Sequence, residues 1–198
     1  MPSPAFVELP GAMAEVKQLA VPLGVSPYRM RTAERATEAA FRIDAPDATE
    51  IHLATHGYIN AAQPLLSGVV LAASPGDEPA YLHDGYLTVA EVFRLKLNAR
   101  LVTLSACETG LGVTGADGVF GLQSAFLSAG SASLLSTLWK VNDSATSLLM
   151  KEFYERMEAD PKHDRAKALQ EAQLALLASG EWKAPVYWAP FVLTGEAR

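Results

Sequence analysis

Cysteine is nearly absent from this chain: Cys107 is the one cysteine among 198 residues. A single thiol cannot form an internal disulfide, and it cannot supply the several thiolates of a zinc ribbon or an iron–sulfur cluster. The sequence therefore excludes the class of small secreted proteins that disulfides hold together. We expect no metal and no organic cofactor.

Positive charge and long apolar runs are also scarce. Sixteen Lys and Arg residues stand against 22 Asp and Glu residues, a net charge of −6, which leaves no surplus to neutralise nucleic-acid phosphates. No apolar stretch approaches the roughly 18 residues of a membrane span. We expect a cytoplasmic protein with one domain over residues 1–198 and with neither a nucleic-acid nor a membrane partner.

Apolar runs rich in β-branched residues alternate with helical patterns, which predicts an α/β fold around a mostly parallel sheet. The predicted strands cover residues 51–55, 69–72, 101–106, 133–138 and 191–193. Four of these five runs lack polar and apolar alternation, which indicates strands buried on both faces. Helical periodicity and capping residues predict helices over 12–20, 30–41, 89–95, 117–130, 143–158 and 164–178.

Two residues with catalytic chemistry follow predicted strands. His56 comes directly after the run 51–55, and Cys107 comes directly after the run 101–106. Reacting groups collect at the carboxyl ends of strands in an open parallel sheet, so the two side chains can share one substrate if their strands are neighbours. His56 is then the general base and Cys107 the nucleophile. The backbone amides of Gly57 and Cys107 are candidates for an oxyanion hole.

Plainer interpretations stay open for these residues. A lone cysteine after an apolar strand is usually an inert buried thiol, and a lone histidine is usually a hydrogen-bonded loop residue. His52 and His56 have the spacing of a helical metal pair, but their segment is predicted to be a strand, so we interpret His52 as a core residue with satisfied hydrogen bonds. The run Gly110 to Gly115 matches a dinucleotide-binding pattern without its acidic residue about 20 positions on, which leaves nucleotide binding as a third hypothesis.

Six segments of the chain resemble one known family, the CHAT domain. This caspase-like domain is related to caspases and separases and often occurs beside tetratricopeptide repeats. The matching segments are 9–12 (LPGA), 52–57 (HLATHG), 67–72 (SGVVLA), 104–110 (LSACETG), 138–143 (LWKVND) and 188–195 (WAPFVLTG). The resemblance implies a three-layer caspase-like sandwich with helices on both faces of the sheet, and a His56/Cys107 dyad that cleaves a protein substrate through an acyl-enzyme.

The resemblance also implies a role for Asp143 in binding the substrate. In separase-like relatives an acidic residue at the matching place holds a basic substrate side chain, and Asp143 would do so by charge pairing. Its alternative role is the N-cap of the helix that follows.

Only eight residues precede the LPGA segment, so we expect the chain to lack the N-terminal strands and to hold about two thirds of the family domain. The alternative function is a catalytically silent module that interacts with or regulates a repeat-bearing partner.

Overall fold

The computed structural model describes residues 9–21, 23–74, 84–105, 116–140 and 142–198, with the backbone alone for 116–120. Its strands are β1 (Glu50–Leu53), β2 (Gly57–Tyr58), β3 (Gly68–Val70), β4 (Tyr86–Thr88), β5 (Leu101–Leu104), β6 (Ser133–Thr137) and β7 (Phe191–Gly195). Its helices are α1 (Pro10–Ala20), α2 (Glu38–Asp44), α3 (Val89–Val92), α4 (Ala116–Ser128), α5 (Asp143–Ala159), α6 (Arg165–Ala178) and α7 (Pro185–Trp188). Single 3₁₀ turns lie at Ala33–Arg35, Ala45–Asp47 and Pro64–Leu66.

Four strands form the central sheet in the order β1-β5-β6-β7. The first three are parallel, and β7 pairs antiparallel with β6. All four residues of β5 and all five of β6 are buried, as the absence of alternation in their sequences predicts. A second sheet, β2-β3-β4, is antiparallel and has three short strands.

Apolar side chains cover both faces of the central sheet. Alternate residues of β5 and β6 point to opposite sides: Leu101 and Leu135 pack in one core, and Val102 and Leu134 pack in the other. The first core is completed by α1, α5 and α6, and the second by α3 and α4. The chain is therefore an α/β sandwich of three layers with a mostly parallel sheet, as predicted.

Local signals account for several of the elements. Thr88 and Glu91 form the predicted capping box of α3, with Glu91 N–H donating to Thr88 Oγ1 over 3.3 Å and Thr88 N–H donating to Glu91 Oε2 over 2.8 Å. Asp164 caps α6 by accepting from the Lys167 amide. Gly130 follows α4 with φ of 114°, a conformation that glycine adopts without strain. These residues explain why α3 and α6 begin, and α4 ends, close to where the sequence predicts, although α3 stops at Val92 rather than at residue 95.

Parts of the predicted secondary structure differ from the observed one. The helix predicted over 30–41 is wrong: a 3₁₀ turn lies at Ala33–Arg35, and α2 begins only at Glu38 because the Thr37 side chain caps it. The strand predicted over 69–72 exists as β3, but it belongs to the small antiparallel sheet. The short elements β2, β4 and α7, which have only two to four residues each, are not predicted by the sequence. None of the helices in the described ranges has the length and apolarity to cross a membrane.

Candidate active site

His56 stands where the central sheet meets the small one. It follows β1 by three residues and directly precedes Gly57, the first residue of β2. Its carbonyl accepts a hydrogen bond from the Val70 amide over 2.8 Å, so the backbone at His56 is anchored to β3. The side chain is half-buried. A histidine fixed at the carboxyl edge of a parallel sheet is placed for acid–base chemistry on a substrate bound along that edge.

The chain that leads to Cys107 leaves the sheet beside the chain that leads to His56. β1 and β5 are adjacent and parallel, with Leu53 opposite Leu104. The Ser105 amide then donates to the Leu53 carbonyl over 2.9 Å, which extends this ladder one residue beyond the strands. Neighbouring strands lie about 4.8 Å apart. Cys107 lies two residues farther on, outside the described residues, as does the glycine run 110–115.

The backbone amide of Gly57 does not take part in the hydrogen bonds between β2 and β3. In the antiparallel pair of β2 and β3, Gly57 stands opposite Val69. Because the Val70 amide bonds to the His56 carbonyl, Gly57 and Val69 form a pair that exchanges no hydrogen bonds with each other. The Gly57 amide therefore points away from β3.

Asp143 lies at the same edge of the sheet, at the start of α5. It is not the cap of that helix: the side chain of Asn142 accepts from the amides of Ser144 and Ala145, so Asn142 is the N-cap and the capping role expected for Asp143 is wrong. The Asp143 side chain is exposed and lies against the first turn of α1. A Cβ atom at Gly11 would be 2.5 Å from Asp143 Oδ2, so only glycine fits there without a shift of the neighbouring atoms.

His52 is a core residue, as expected, and it belongs to a chain of buried hydrogen bonds. His52 Nε2 is 2.8 Å from Glu15 Oε1, and His52 Nδ1 is 3.1 Å from the Tyr154 hydroxyl. That hydroxyl is 2.7 Å from Thr103 Oγ1. Burial raises the pKa of Tyr154, so its hydroxyl stays protonated and can donate to His52. We call Glu15, His52, Tyr154 and Thr103 the histidine cluster; it joins α1, β1, α5 and β5.

Sequence reasoning missed Glu15, Gly11 and Thr146, which border the site. Glu15 is 4% exposed, and Thr146 is 2% exposed. The signal that could have found them is the LPGA segment, since a glycine directly after a proline inside a helical pattern indicates a close approach by another element. That element is the first turn of α5, which carries Asp143 and Thr146.

Comparisons with known proteins agree with this architecture. The family model described as the CHAT domain matches residues 2–196. Tetratricopeptide repeat protein 28 of Mus musculus is 33% identical over 114 residues, which are 58% of this chain and 5% of that protein. Tetratricopeptide repeat protein 28 of Homo sapiens is 34% identical over 114 residues, again 58% of this chain and 4% of that protein. The chain therefore matches only a small part of the length of these relatives.

Proposed function

The chain belongs to the CHAT domain family, which is caspase-like, and on that premise we propose that it is a cysteine endopeptidase acting through His56 and Cys107. The observation that carries the proposal is that β1 and β5 are adjacent and parallel, so that the chain leaves both strands at the same edge of the sheet. Ser105, two residues before Cys107, bonds to the residue that ends β1, three residues before His56. Two reacting side chains at neighbouring strand ends can act on one substrate bond.

The proposed reaction has two half-reactions. His56 takes the proton of the Cys107 thiol as Sγ attacks a peptide carbonyl, and the carbonyl oxygen becomes an oxyanion that the amides of Gly57 and Cys107 stabilise. The C–N bond then breaks, the leaving amine takes the proton from His56, and a thioester remains. Water attacks the thioester with His56 as base, which releases the acid and restores the thiol.

Asp143 is the proposed binding residue for a basic side chain before the cleaved bond. Its carboxylate is exposed at the same edge of the sheet, and Asn142 rather than Asp143 caps α5. A carboxylate held there can pair with a cationic substrate group. The substrate class is then a protein or peptide with Lys or Arg at that position.

Cleavage of a peptide library by the wild type and by single variants tests this proposal. We expect Cys107→Ala to reduce cleavage to background, and His56→Ala to slow it by about 10²- to 10⁴-fold because the base is lost. His163→Ala is the matched control: His163 lies in the turn after α5, whose 17 residues run about 25 Å away from the site. Equal cleavage by the wild type, Cys107→Ala and His56→Ala would overturn the dyad.

A catalytically silent interaction module is the second candidate. It is favoured by the names of the relatives, since both are tetratricopeptide repeat proteins of which this chain matches 5% or less. Thiol alkylation separates the two candidates, and because the chain has one cysteine, the mass of the adduct reports Cys107 alone. An activated thiol alkylates faster than free cysteine at neutral pH, and His56→Ala then slows it. A folded chain that alkylates no faster favours the interaction module.

A further inference from the structure

A small pocket lies between the first turn of α1, the end of β5 and the start of α5. Its apolar wall includes Leu9 and Ala12, and its polar lining is made by Glu15, Ser105, Asp143 and Thr146. Ser105 belongs to the segment that leads to Cys107, so the pocket opens at the same edge of the sheet as the proposed dyad. An apolar wall that ends in polar groups suits a side chain with an aliphatic stem and a polar tip.

Two buried groups line the pocket, the carboxylate of Glu15 and the hydroxyl of Thr146. Glu15 Oε1 is held by His52 at 2.8 Å, which fixes the position of the carboxylate. Thr146 Oγ1 is buried and has no hydrogen-bond partner among the residues that the structure describes. A buried hydroxyl without a partner is unfavourable by about 1 to 3 kcal/mol, and a ligand that donates to it would remove that penalty. These two groups therefore call for a hydrogen-bond donor that carries positive charge.

The size of the pocket distinguishes between the two basic side chains. Its volume is about 10 Å³, which is about the space that one water molecule needs. The ammonium group of lysine is a single nitrogen of similar size with three donors, whereas the guanidinium of arginine is a planar fork of three nitrogens. A space of this size suits the single nitrogen of an ammonium group better than the three nitrogens of a guanidinium.

We propose that this pocket binds the ammonium group of a lysine side chain and discriminates against arginine, with Glu15 and Thr146 as specificity-determining residues. Nζ alone occupies the cavity and donates to Glu15 and to Thr146 Oγ1, while the aliphatic stem stays at the mouth beside Leu9 and Ala12. Asp143 adds a second negative charge. The inference rests on the proposed function in one respect, that the residue before the cleaved bond is basic. It adds which basic residue is accepted and which residues select it.

Binding to the full chain carrying Cys107→Ala tests the inference without turnover. The probes are n-butylammonium, n-butylguanidinium and three peptides that differ only in having lysine, arginine or norleucine at the selected position. Titration calorimetry gives the peptide affinities, and NMR titration gives those of the two small cations. We expect the lysine peptide to bind at least tenfold more tightly than the other two peptides, and n-butylammonium to bind more tightly than n-butylguanidinium.

Single substitutions then test the two residues. Glu15→Gln keeps an oxygen that can accept from His52 but removes the charge, so we expect at least a tenfold loss of affinity for the lysine peptide and no change for norleucine. Thr146→Val removes one hydroxyl at nearly constant shape, so we expect a loss of about fivefold with no fall in melting temperature. Glu155→Gln, an exposed site on α5, is the control for charge and leaves lysine affinity unchanged.

The outcomes separate this inference from the proposed function. Equal or tighter binding of the arginine peptide, no binding of n-butylammonium, or unchanged lysine affinity in both variants overturns the inference, and water alone then occupies the pocket. Preferential lysine binding by a chain that cleaves no peptide supports the inference and contradicts the endopeptidase. Cleavage of peptides without preference for lysine supports the endopeptidase and contradicts the inference.

Discussion

Two groups of buried carboxylates flank the central sheet, and they are built differently. In the histidine cluster, Glu15 accepts from a histidine, and the chain of bonds continues to a buried hydroxyl. In the second group, which we call the arginine cluster, Glu38 and Glu91 share one guanidinium: Arg42 Nη2 is 2.6 Å from Glu38 Oε1 and 3.2 Å from Glu91 Oε1. The histidine cluster lies on the side of α1 and α5, and the arginine cluster on the side of α2 and α3.

The surroundings of Glu15 and Glu38 indicate which of these buried carboxylates is placed to bind a ligand. Glu15 borders a pocket that also contains the Thr146 hydroxyl, which has no hydrogen-bond partner in the described part of the chain, so a donor that enters the pocket could bond to both groups. Glu38 is 0% exposed, and burial raises its pKa from 4.5 to about 7 against the lowering effect of its hydrogen bond with Arg42, while the Glu91 carboxylate adds to the rise. We therefore expect pH-dependent stability from the two carboxylates that share one cation, and ligand selectivity from the one carboxylate beside a pocket.

The largest effect is expected from removing the centre of the histidine cluster. His52→Ala leaves Glu15 and Tyr154 buried without their shared partner, so we expect the free energy of unfolding to fall by about 3 kcal/mol or more. The matched variant is His56→Ala, four residues along the chain, which we expect to abolish most cleavage and to change the free energy of unfolding by less than about 1 kcal/mol. Urea unfolding of both variants measures this, and equal destabilisation would mean that the two histidines do not have separate roles.

The arginine cluster is expected to show itself in the pH dependence of stability. Because the pKa of Glu38 is about 7 in the folded state and 4.5 is its ordinary value, the folded state binds the proton more tightly. The stabilisation is complete below pH 4.5 and is lost as the pH rises through 7, by about 3 kcal/mol for this shift. We expect Glu38→Gln to flatten the dependence of the free energy of unfolding on pH between 5 and 8. An unchanged slope in that variant would assign the dependence to other groups.

The approach of α1 to α5 makes the histidine cluster possible, and Gly11 permits that approach. Gly11→Ala places a Cβ atom 2.7 Å from Asp143 Cβ, so α1 must shift, and we expect a loss of about 1 to 3 kcal/mol in the free energy of unfolding. The matched control is Gly121→Ala in α4, where the new Cβ meets Val89 Cγ2 at 3.5 Å, an ordinary contact. That variant is expected to gain about 0.5 to 1 kcal/mol from helix propensity. Equal effects in the two variants would show that α1 adapts freely.

The smallest effect is expected from two buried threonines, Thr103 and Thr146, on the same side of the central sheet. Thr103→Val removes a hydroxyl that bonds to Tyr154, so we expect a loss of about 1 kcal/mol in the free energy of unfolding. Thr146→Val removes a hydroxyl without a described partner, so we expect no loss or a small gain. Both residues are buried, which makes the pair a controlled measurement by thermal unfolding. A larger loss at Thr146 than at Thr103 would mean that the Thr146 hydroxyl has a partner in the unliganded protein.

The parts of the fold that sequence could predict are those with local or periodic signals. The capping box of Thr88 and Glu91 lies within four residues, and the buried runs of β5 and β6 carry their own pattern. The missed strands β2 and β4 have two and three residues, too few for a pattern to form, and they exist because β3 lies between them. The helix predicted over 30–41 failed because Thr37 caps α2 and pairs with Ala72, a contact 35 residues away.

The residues of the candidate site likewise fall into those that the sequence predicts and those that depend on contacts between distant parts of the chain. The positions of His56 and Gly57 followed from the end of an apolar run, and the resemblance to one family gave Asp143. Capping of α5, the alternative role of Asp143, falls to Asn142, because two neighbouring residues are both good caps and sequence does not choose between them. Glu15 was beyond reach, since its role depends on a bond to His52, 37 residues away, and on packing of α1 against α5.

The position of β7 in the chain determines when β6 can be covered during synthesis. β7 pairs with all five residues of β6, the strand whose chain continues to Asp143. A ribosome-bound chain that already contains β1, β5 and β6 still exposes the hydrogen-bonding edge of β6, because residues 191–195 have not yet been synthesised or have not left the exit tunnel. The side of β6 that pairs with β7 is therefore covered only after every other described strand of the central sheet has been made.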